Sequence, residues 1–349
     1  MKMLAAVYSG IGKIECREVK KPEVNEKEVL VKVKAAAICG TDLRIYKTGH
    51  FKIKEGEEII LGHEFAGEIL EVGSEVESYK EGMRVGVAPN IGCGMCRYCR
   101  MGKTHLCPDY DAFGINLDGG FAEFIKIHNK ALQQGNLIAF DVGTTFEEVA
   151  LAEPLACCYS AYISVATHPG DSVLIVGAGP VGALHLQLSK LAGASKIMIA
   201  DIAESRLKLI ENFEPDILIN TEKEDLLEAV MRNTGGMGAD VVITSCAAPE
   251  IQNLSVKLTA KLGRINLFGG LPKGRENVEL NTNLIHYNGL IVTGTTGASL
   301  ADYELSINLI VNKKIDTRSI ISKRFNLYQI REAFEYAMSG SGLKTIIEV

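Results

Sequence analysis

The stretch 172-SVLIVGAGPVGALHLQLSKLAG-193 decides how the chain is read. An apolar strand candidate runs straight into G-x-G-x-x-G, and a helically periodic segment follows, so the glycines fall at a strand-to-helix turn. Gly177 permits the tight turn, Gly179 lets the backbone approach a diphosphate, and Gly182 lets the helix pack close to the strand. Pro180 and Val181 complete the cofactor-binding turn, and the free N–H groups at the helix start favour an anion. Val181, Leu184, Leu188 and Leu191 recur at helical spacing and are expected on the face that packs against the sheet. The next strand candidate, KIMIAD, ends in Asp201, near the usual ~20 residues beyond the glycines, where a carboxylate can bind a ribose 2'-hydroxyl and repel a 2'-phosphate. That favours NAD over NADP; Arg206 nearby could accommodate some phosphate or cover the adenine. The plainer alternative is a glycine turn in an unliganded α/β domain.

Working outward, SVLIV, KIMIAD, DILIN, DVVITS, GRINLF and LIVTG alternate with helical stretches or crossovers, which implies a doubly wound parallel sheet. Residues 1 to about 150 have a different texture. Short β-branched runs such as EVLVKVKAAAI and FAGEILEVG, broken by Gly, Pro and charged turns, read as antiparallel sheet. From about 297 the chain returns to amphipathic segments, LADYELSINLIVNK and NLYQIREAFEYAMSG. The fold class is therefore α/β, a β-rich domain joined to a parallel-sheet domain, and no fixed-period repeat is present.

The chain has 349 residues, enough for two domains, with 47% hydrophobic and 23% charged residues. A formal net charge of −6 gives no electrostatic reason to expect nucleic acid or an anionic membrane as partner. The N-terminus lacks the apolar core of a signal peptide and no apolar run is long enough to span a bilayer, so the expected location is cytoplasmic and the expected partner a small molecule. Nine cysteines suit a reducing compartment better than a disulfide framework. Cys157, Cys158 and Cys246 lie among small or apolar neighbours and read as packing.

Within 93-CGMCRYCRMGKTHLC-107 the spacing C-x2-C-x2-C-x7-C matches a tetrahedral zinc site. An iron-sulfur ligand set or reactive thiols are the alternatives. With Cys93, Cys96, Cys99 and Cys107 all bound, no position remains for a substrate, so catalysis is expected elsewhere. Good ligands also occur, dispersed, in 39-CGTD-42, 62-GHE-64 and 153-EPLACC-158. Taken singly, a histidine before a glutamate or an isolated cysteine is more often packing or surface than a ligand.

Together these motifs resemble the zinc-dependent medium-chain dehydrogenases, over nearly the whole chain. Glu153, where the two-cysteine alcohol dehydrogenases carry cysteine, resembles the polyol, sugar and threonine branch, and EPLACC a sorbitol or iditol type of member. The resemblance implies a GroES-like catalytic domain over residues 1–153 and 296–349, with a zinc lobe near 90–110, and a Rossmann NAD domain over 154–295. It implies two zincs per chain and a homo-oligomer, dimer or tetramer. The catalytic zinc would be held by Cys39, His63 and Glu153, with Glu64 as the competing carboxylate and Asp42 orienting His63. The thiolate and one carboxylate neutralise the dication, and histidine adds a neutral nitrogen.

The implied reaction is reversible oxidation of a secondary alcohol of a polyol or sugar, with zinc polarising the hydroxyl and NAD taking hydride. Thr41 is placed to accept the substrate proton, unless its hydroxyl only braces the turn. Relatives often place histidine five residues after the first cysteine; this chain has Arg44, which stays charged and cannot be a base. The proton must then leave by water, the cofactor ribose or a group such as His50. Arg44 and Lys47 could instead contact a sugar phosphate or acid, or form a solvated basic loop. The rivals are an L-threonine dehydrogenase, which Arg44 disfavours, and an NAD-binding sensor, which an intact Cys39, His63 and Glu153 set disfavours. Tyr46, Phe113 and Ile115 are candidates for pocket lining or for core.

Overall fold

A computed structural model describes residues 1–349, which divide into two compact units, Met1–Ala156 with Ala298–Val349, and Cys157–Gly297. In the second unit six parallel strands lie in the order Ile217–Asn220, Lys196–Asp201, Ser172–Val176, Ala239–Thr244, Thr259–Leu267 and Ile291–Gly294. The central strands are apolar throughout because helices cover both faces of such a sheet, and Val173, Leu174 and Ile175 are wholly buried. The order reverses direction on either side of Ser172–Val176, which places the glycine turn at the C-terminal edge of the sheet where such folds bind ligands.

Helix Pro180–Leu191 starts with proline in its first turn and buries Gly182, Leu184 and Leu188. Leu191, expected on the packed face, is instead 49% exposed, and Val181 is only half-buried. Leu191 is the last helical residue.

The first unit holds a seven-stranded sheet, a three-stranded sheet and a two-stranded sheet, Asn90–Ile91 with Asp111–Ala112. Strand Val29–Ala37 is the hub: it pairs antiparallel with Glu64–Val72, with Phe124–Ile127 and with the C-terminal strand Lys344–Glu348. Ala37 lies opposite Glu64 on one side and Ile346 on the other. This register brings three distant segments to one end of the sheet: the exit of the hub strand, where Cys39 follows, the start of Glu64–Val72, and the start of Lys344–Glu348. Phe65, Phe113, Phe121 and Phe334 are the largest side chains of the core below. Phe113 is thus core rather than pocket lining, and Tyr46 packs edge-on against Phe334 at 5.4 Å. Ile115 is half-buried.

Candidate active site and cofactor turn

Cys39 precedes helix Gly40–Thr48, and its N–H donates to the Asp42 carboxylate at 2.8 Å, so the helix start fixes the thiol's position. Asp42 is fully buried; its other oxygen accepts from the Gly62 N–H at 3.3 Å and stands 3.4 Å from His63 Nδ1. One carboxylate therefore ties the cysteine turn to the His63 strand. Gly62 has a φ of +93°, and a Cβ there would lie 2.8 Å from the Phe121 ring, so the turn presenting His63 requires glycine.

The donor atoms of Cys39, His63 and Glu64 all lie within 4.8 Å of one another, and His63 and Glu64 are buried. Glu153 is not a corner of this triangle, although its charge reaches Glu64, Tyr303 and Lys344. Glu153 and Tyr303 also line a small cavity of about 10 Å³. His63 Nδ1 is turned to Asp42, so Nε2 is the nitrogen that His63 can offer a cation, and Glu64 Oε2 lies against the Lys344 ammonium at 2.6 Å. Burial alone would lower the His63 pKa, but the Asp42 and Cys39 charges override it and hold it well above the usual value. Sulfur, nitrogen and carboxylate oxygen suit zinc, which would take the triangle's three donors and keep a position for substrate oxygen.

Lys344 is a part of this site that sequence reasoning did not single out. Its ammonium is 5% exposed and lies 2.7 Å from Glu64 Oε1 and 2.6 Å from Oε2. Burial would lower the Lys344 pKa, but the charges of Glu64, Cys39 and Glu153 raise it, so the ammonium stays ionised. Burial raises the Glu64 pKa, with Glu153 adding to it and Lys344 and His63 opposing.

Thr41 is half-buried in the first turn of its helix and Arg44 is exposed one turn further on. His50 is half-buried, its pKa lowered by burial first and then by Arg44 and Lys52. Lys47 is exposed.

The sulfurs of Cys93, Cys96, Cys99 and Cys107 also lie within 4.8 Å of one another. Backbone N–H groups point at them: Met95 and Cys96 donate to Cys93 Sγ at 3.5 and 3.3 Å, and Cys99 donates to Cys96 Sγ at 3.4 Å. Those N–H groups bring the Cys93 thiol down to about 6, whereas desolvation and the neighbouring sulfurs push Cys99 up to about 12. Four sulfurs this close cannot all be anionic without a cation among them. The lobe is closed by four protein donors and fits a structural zinc.

In the second unit Gly177 has a φ of +121°, and a Cβ on Gly182 would lie 2.0 Å from the Gly177 carbonyl oxygen. A Cβ on Gly179 would meet no protein atom within 4 Å, leaving that backbone open to an incoming group. Asp201 is buried, and its two oxygens accept from the N–H groups of Ala178 and Ala203, each at 2.8 Å. It therefore braces the glycine turn itself, a role its sequence position did not reveal. Arg206 is half-buried in helix Glu204–Ile210, and Cys246 is half-buried while Cys158 is buried.

Two family models match the chain, the alcohol dehydrogenase GroES-like domain over residues 25–135 and the zinc-binding dehydrogenase model over residues 180–312. The chain belongs to the zinc-binding, alcohol-dehydrogenase-type medium-chain dehydrogenases, with a GroES-like domain and a Rossmann-type parallel sheet. Among relatives, it is 32% identical over 328 residues to an L-threonine 3-dehydrogenase of Bacillus licheniformis, covering 93% of this chain and 92% of the relative. It is 31% identical to a sorbitol dehydrogenase of Bacillus subtilis, covering 96% and 94%. It is 31% identical to a D-arabitol-phosphate dehydrogenase of Enterococcus avium, covering 100% and 97%. A zinc-binding dehydrogenase from Sinorhizobium meliloti 1021 bound to NADP superposes with a TM-score of 0.90 at 29% identity, covering both chains fully. The protein is accordingly an oxidoreductase of the zinc and nicotinamide-dinucleotide type, and no helix in it is long and apolar enough to cross a membrane.

Proposed function

We propose that this enzyme oxidises, reversibly, a secondary alcohol carbon of a polyol or sugar with NAD, at a metal centre built on Cys39, His63 and a carboxylate of Glu64 or Glu153. The observation that carries the reading is the triangle of Cys39, His63 and Glu64, whose sulfur, nitrogen and carboxylate donors lie within 4.8 Å of one another and make a zinc-type ligand set. A zinc there supplies Lewis-acid polarisation of the substrate hydroxyl, and the nicotinamide supplies the hydride acceptor. The chain's own residues do the rest. Asp42 fixes Cys39 and His63, and the Thr41 hydroxyl accepts the alcohol proton and passes it on. Arg44 cannot take it. His50, whose lowered pKa keeps it neutral, and water are the acceptors beyond. Cys93, Cys96, Cys99 and Cys107 hold a second, structural zinc.

Gly177, Gly179, Pro180, Val181 and Gly182 receive the diphosphate of the cofactor. The buried carboxylate of Asp201 at the turn supports NAD over NADP, because a 2'-phosphate beside it would be repelled by its negative charge. Glu153 in place of cysteine favours polyols and sugars over simple alcohols, and the small molecule is the partner, in a homo-oligomer.

A second reading, an anionic polyol such as a sugar alcohol phosphate, is favoured by one observation: Arg44 and Lys52 together bear on His50 with positive charge. A panel of polyols, aldoses, sugar alcohol phosphates and L-threonine, run with NAD and NADP side by side, tests both. Turnover highest with a neutral polyol and NAD supports the first reading, and turnover confined to phosphates supports the second. Turnover confined to L-threonine or dependent on NADP contradicts both.

A further inference from the structure

The strand end expected to meet the cofactor ribose carries more positive charge than an NAD site calls for. Asp201 and Asn220 end adjacent parallel strands and stand opposite each other. The Thr221 N–H donates to the Asp201 carbonyl at 3.1 Å, so the turn after Asn220 lies against the turn after Asp201. Arg206 and Lys208 follow on the first of these segments and Lys223 on the second. Asp201 itself has both oxygens engaged by the N–H groups of Ala178 and Ala203. A phosphate on the ribose 2'-oxygen would therefore meet one carboxylate that already has partners, with several cations close by.

Glu204 changes that balance. It is the first residue of helix Glu204–Ile210, and its Oε2 accepts from Asn220 Nδ2 at 2.6 Å and from Lys223 Nζ at 2.7 Å. Asn220 is 9% exposed, and its own Oδ1 accepts from the Glu222 N–H at 3.0 Å, which sets the amide with its nitrogen toward Glu204. The hydrogen bond from Lys223 first, and that from Asn220 next, hold the Glu204 carboxyl below its usual range, so it is ionised at neutral pH. An exposed ion pair between two mobile side chains contributes little, because both must be immobilised. Here the buried amide already immobilises the acid, and only the lysine remains to be restrained.

We propose that Glu204 is a specificity-determining residue that holds Lys223 away from a ribose 2'-phosphate and so weakens the binding of NADP relative to NAD. The proposal rests on the reading of the glycine turn as a dinucleotide site and deepens it: to the acid at the strand end it adds a carboxylate and a cation tied together across the neighbouring strand. A Lys223 ammonium released from Glu204 would make a charge-assisted hydrogen bond to the phosphate instead.

The test uses 5'-AMP and 2',5'-ADP, which carry the adenosine ends of the two cofactors and nothing of the nicotinamide, titrated calorimetrically into the full-length enzyme. Glu204→Gln keeps an acceptor for Asn220 and removes the charge that holds the lysine. At low ionic strength it should bind 2',5'-ADP about 5-fold more tightly than the wild type does, with 5'-AMP affinity unchanged within about 2-fold, and the gain should shrink in high salt. The double variant Glu204→Gln with Lys223→Met should lose the gain. A gain that persists in the double variant would show that Glu204 acts by direct repulsion alone, and overturns the proposal. Unchanged 2',5'-ADP affinity in Glu204→Gln, or an equal change for both nucleotides, overturns it as well. A wild type that prefers 2',5'-ADP to 5'-AMP contradicts the NAD reading and is a separate result, because the proposal stands or falls on the shift between wild type and variants.

Discussion

Cys93, Cys96, Cys99 and Cys107 reach one another within a single loop, whereas Cys39, His63 and Glu64 come from separate strand ends and are joined by a lysine 280 residues beyond Glu64. The loop can assemble its donors before the domain is complete; the dispersed set exists only once the hub strand has paired on both sides. The loop has four protein donors for one ion, so nothing is left over for chemistry. The dispersed set brings together three donors of different kinds, which would leave a tetrahedral ion one position for substrate, and the Lys344 ammonium lies against one of them. A binding loop that stabilises and a site that reacts differ here in the number of donors as much as in their type.

The comparison breaks most visibly at its thiols. Cys39→Ser should lower turnover by on the order of 10³-fold, the scale of several kcal/mol of Lewis-acid stabilisation. Cofactor binding, measured by NADH fluorescence titration, should stay nearly unchanged, because the glycine turn belongs to the other unit. Cys99→Ser should act in the opposite order, with melting lowered by on the order of 10 °C and turnover per folded molecule largely kept. Equal losses of turnover without loss of stability in both variants would erase the distinction.

A smaller effect concerns how the second unit treats a buried titratable group. His185 is 1% exposed, lies edge-on to Phe268 with ring centroids 4.8 Å apart, and neither of its ring nitrogens is hydrogen-bonded. Burial pushes its pKa down to about 3. Since the unfolded chain takes up this proton near pH ~6.5 and the folded one does not until about 3, the stabilisation is complete above pH ~6.5 and is lost as pH falls toward 3. The slope is at most about 1.4 kcal/mol per pH unit. His185→Phe should flatten this part of the acid limb in urea midpoints measured at neutral and mildly acid pH; an unchanged limb would show that the ring finds a partner when protonated. The metal centre meets the same problem with countercharge, and His185 meets it by staying neutral.

What could be read in advance follows the same division. The glycine turn and the four-cysteine loop are short patterns, and each residue's reason lies within a few positions of it. The parallel sheet was legible because its strands are apolar without interruption. Cys39, His63 and Glu153 were recognisable only by resemblance to a family, since nothing local joins them. Lys344 sits in SGSGLKTIIEV, which reads as a polar turn leading into a final strand. Its burial depends on that strand entering a sheet formed almost entirely by the N-terminal half, and no local pattern encodes the insertion. The second task of Asp201, bracing the turn through Ala178 and Ala203, was hidden for a related reason: a carboxylate at a strand end does not announce which backbone groups will face it. Leu191, the last residue of its helix, keeps the apolar periodicity and is nevertheless exposed.

Graded chelation most directly tests the claim that one metal serves chemistry and the other structure. Zinc content, turnover and melting temperature would be followed on the same samples as chelator is raised. Two zincs per chain at the start, with turnover vanishing as one is removed and the melting temperature collapsing only with the other, is the predicted result. Turnover that survives loss of the first zinc and disappears only when the fold does, or a preparation that is fully active with a single zinc in the cysteine loop, would contradict it.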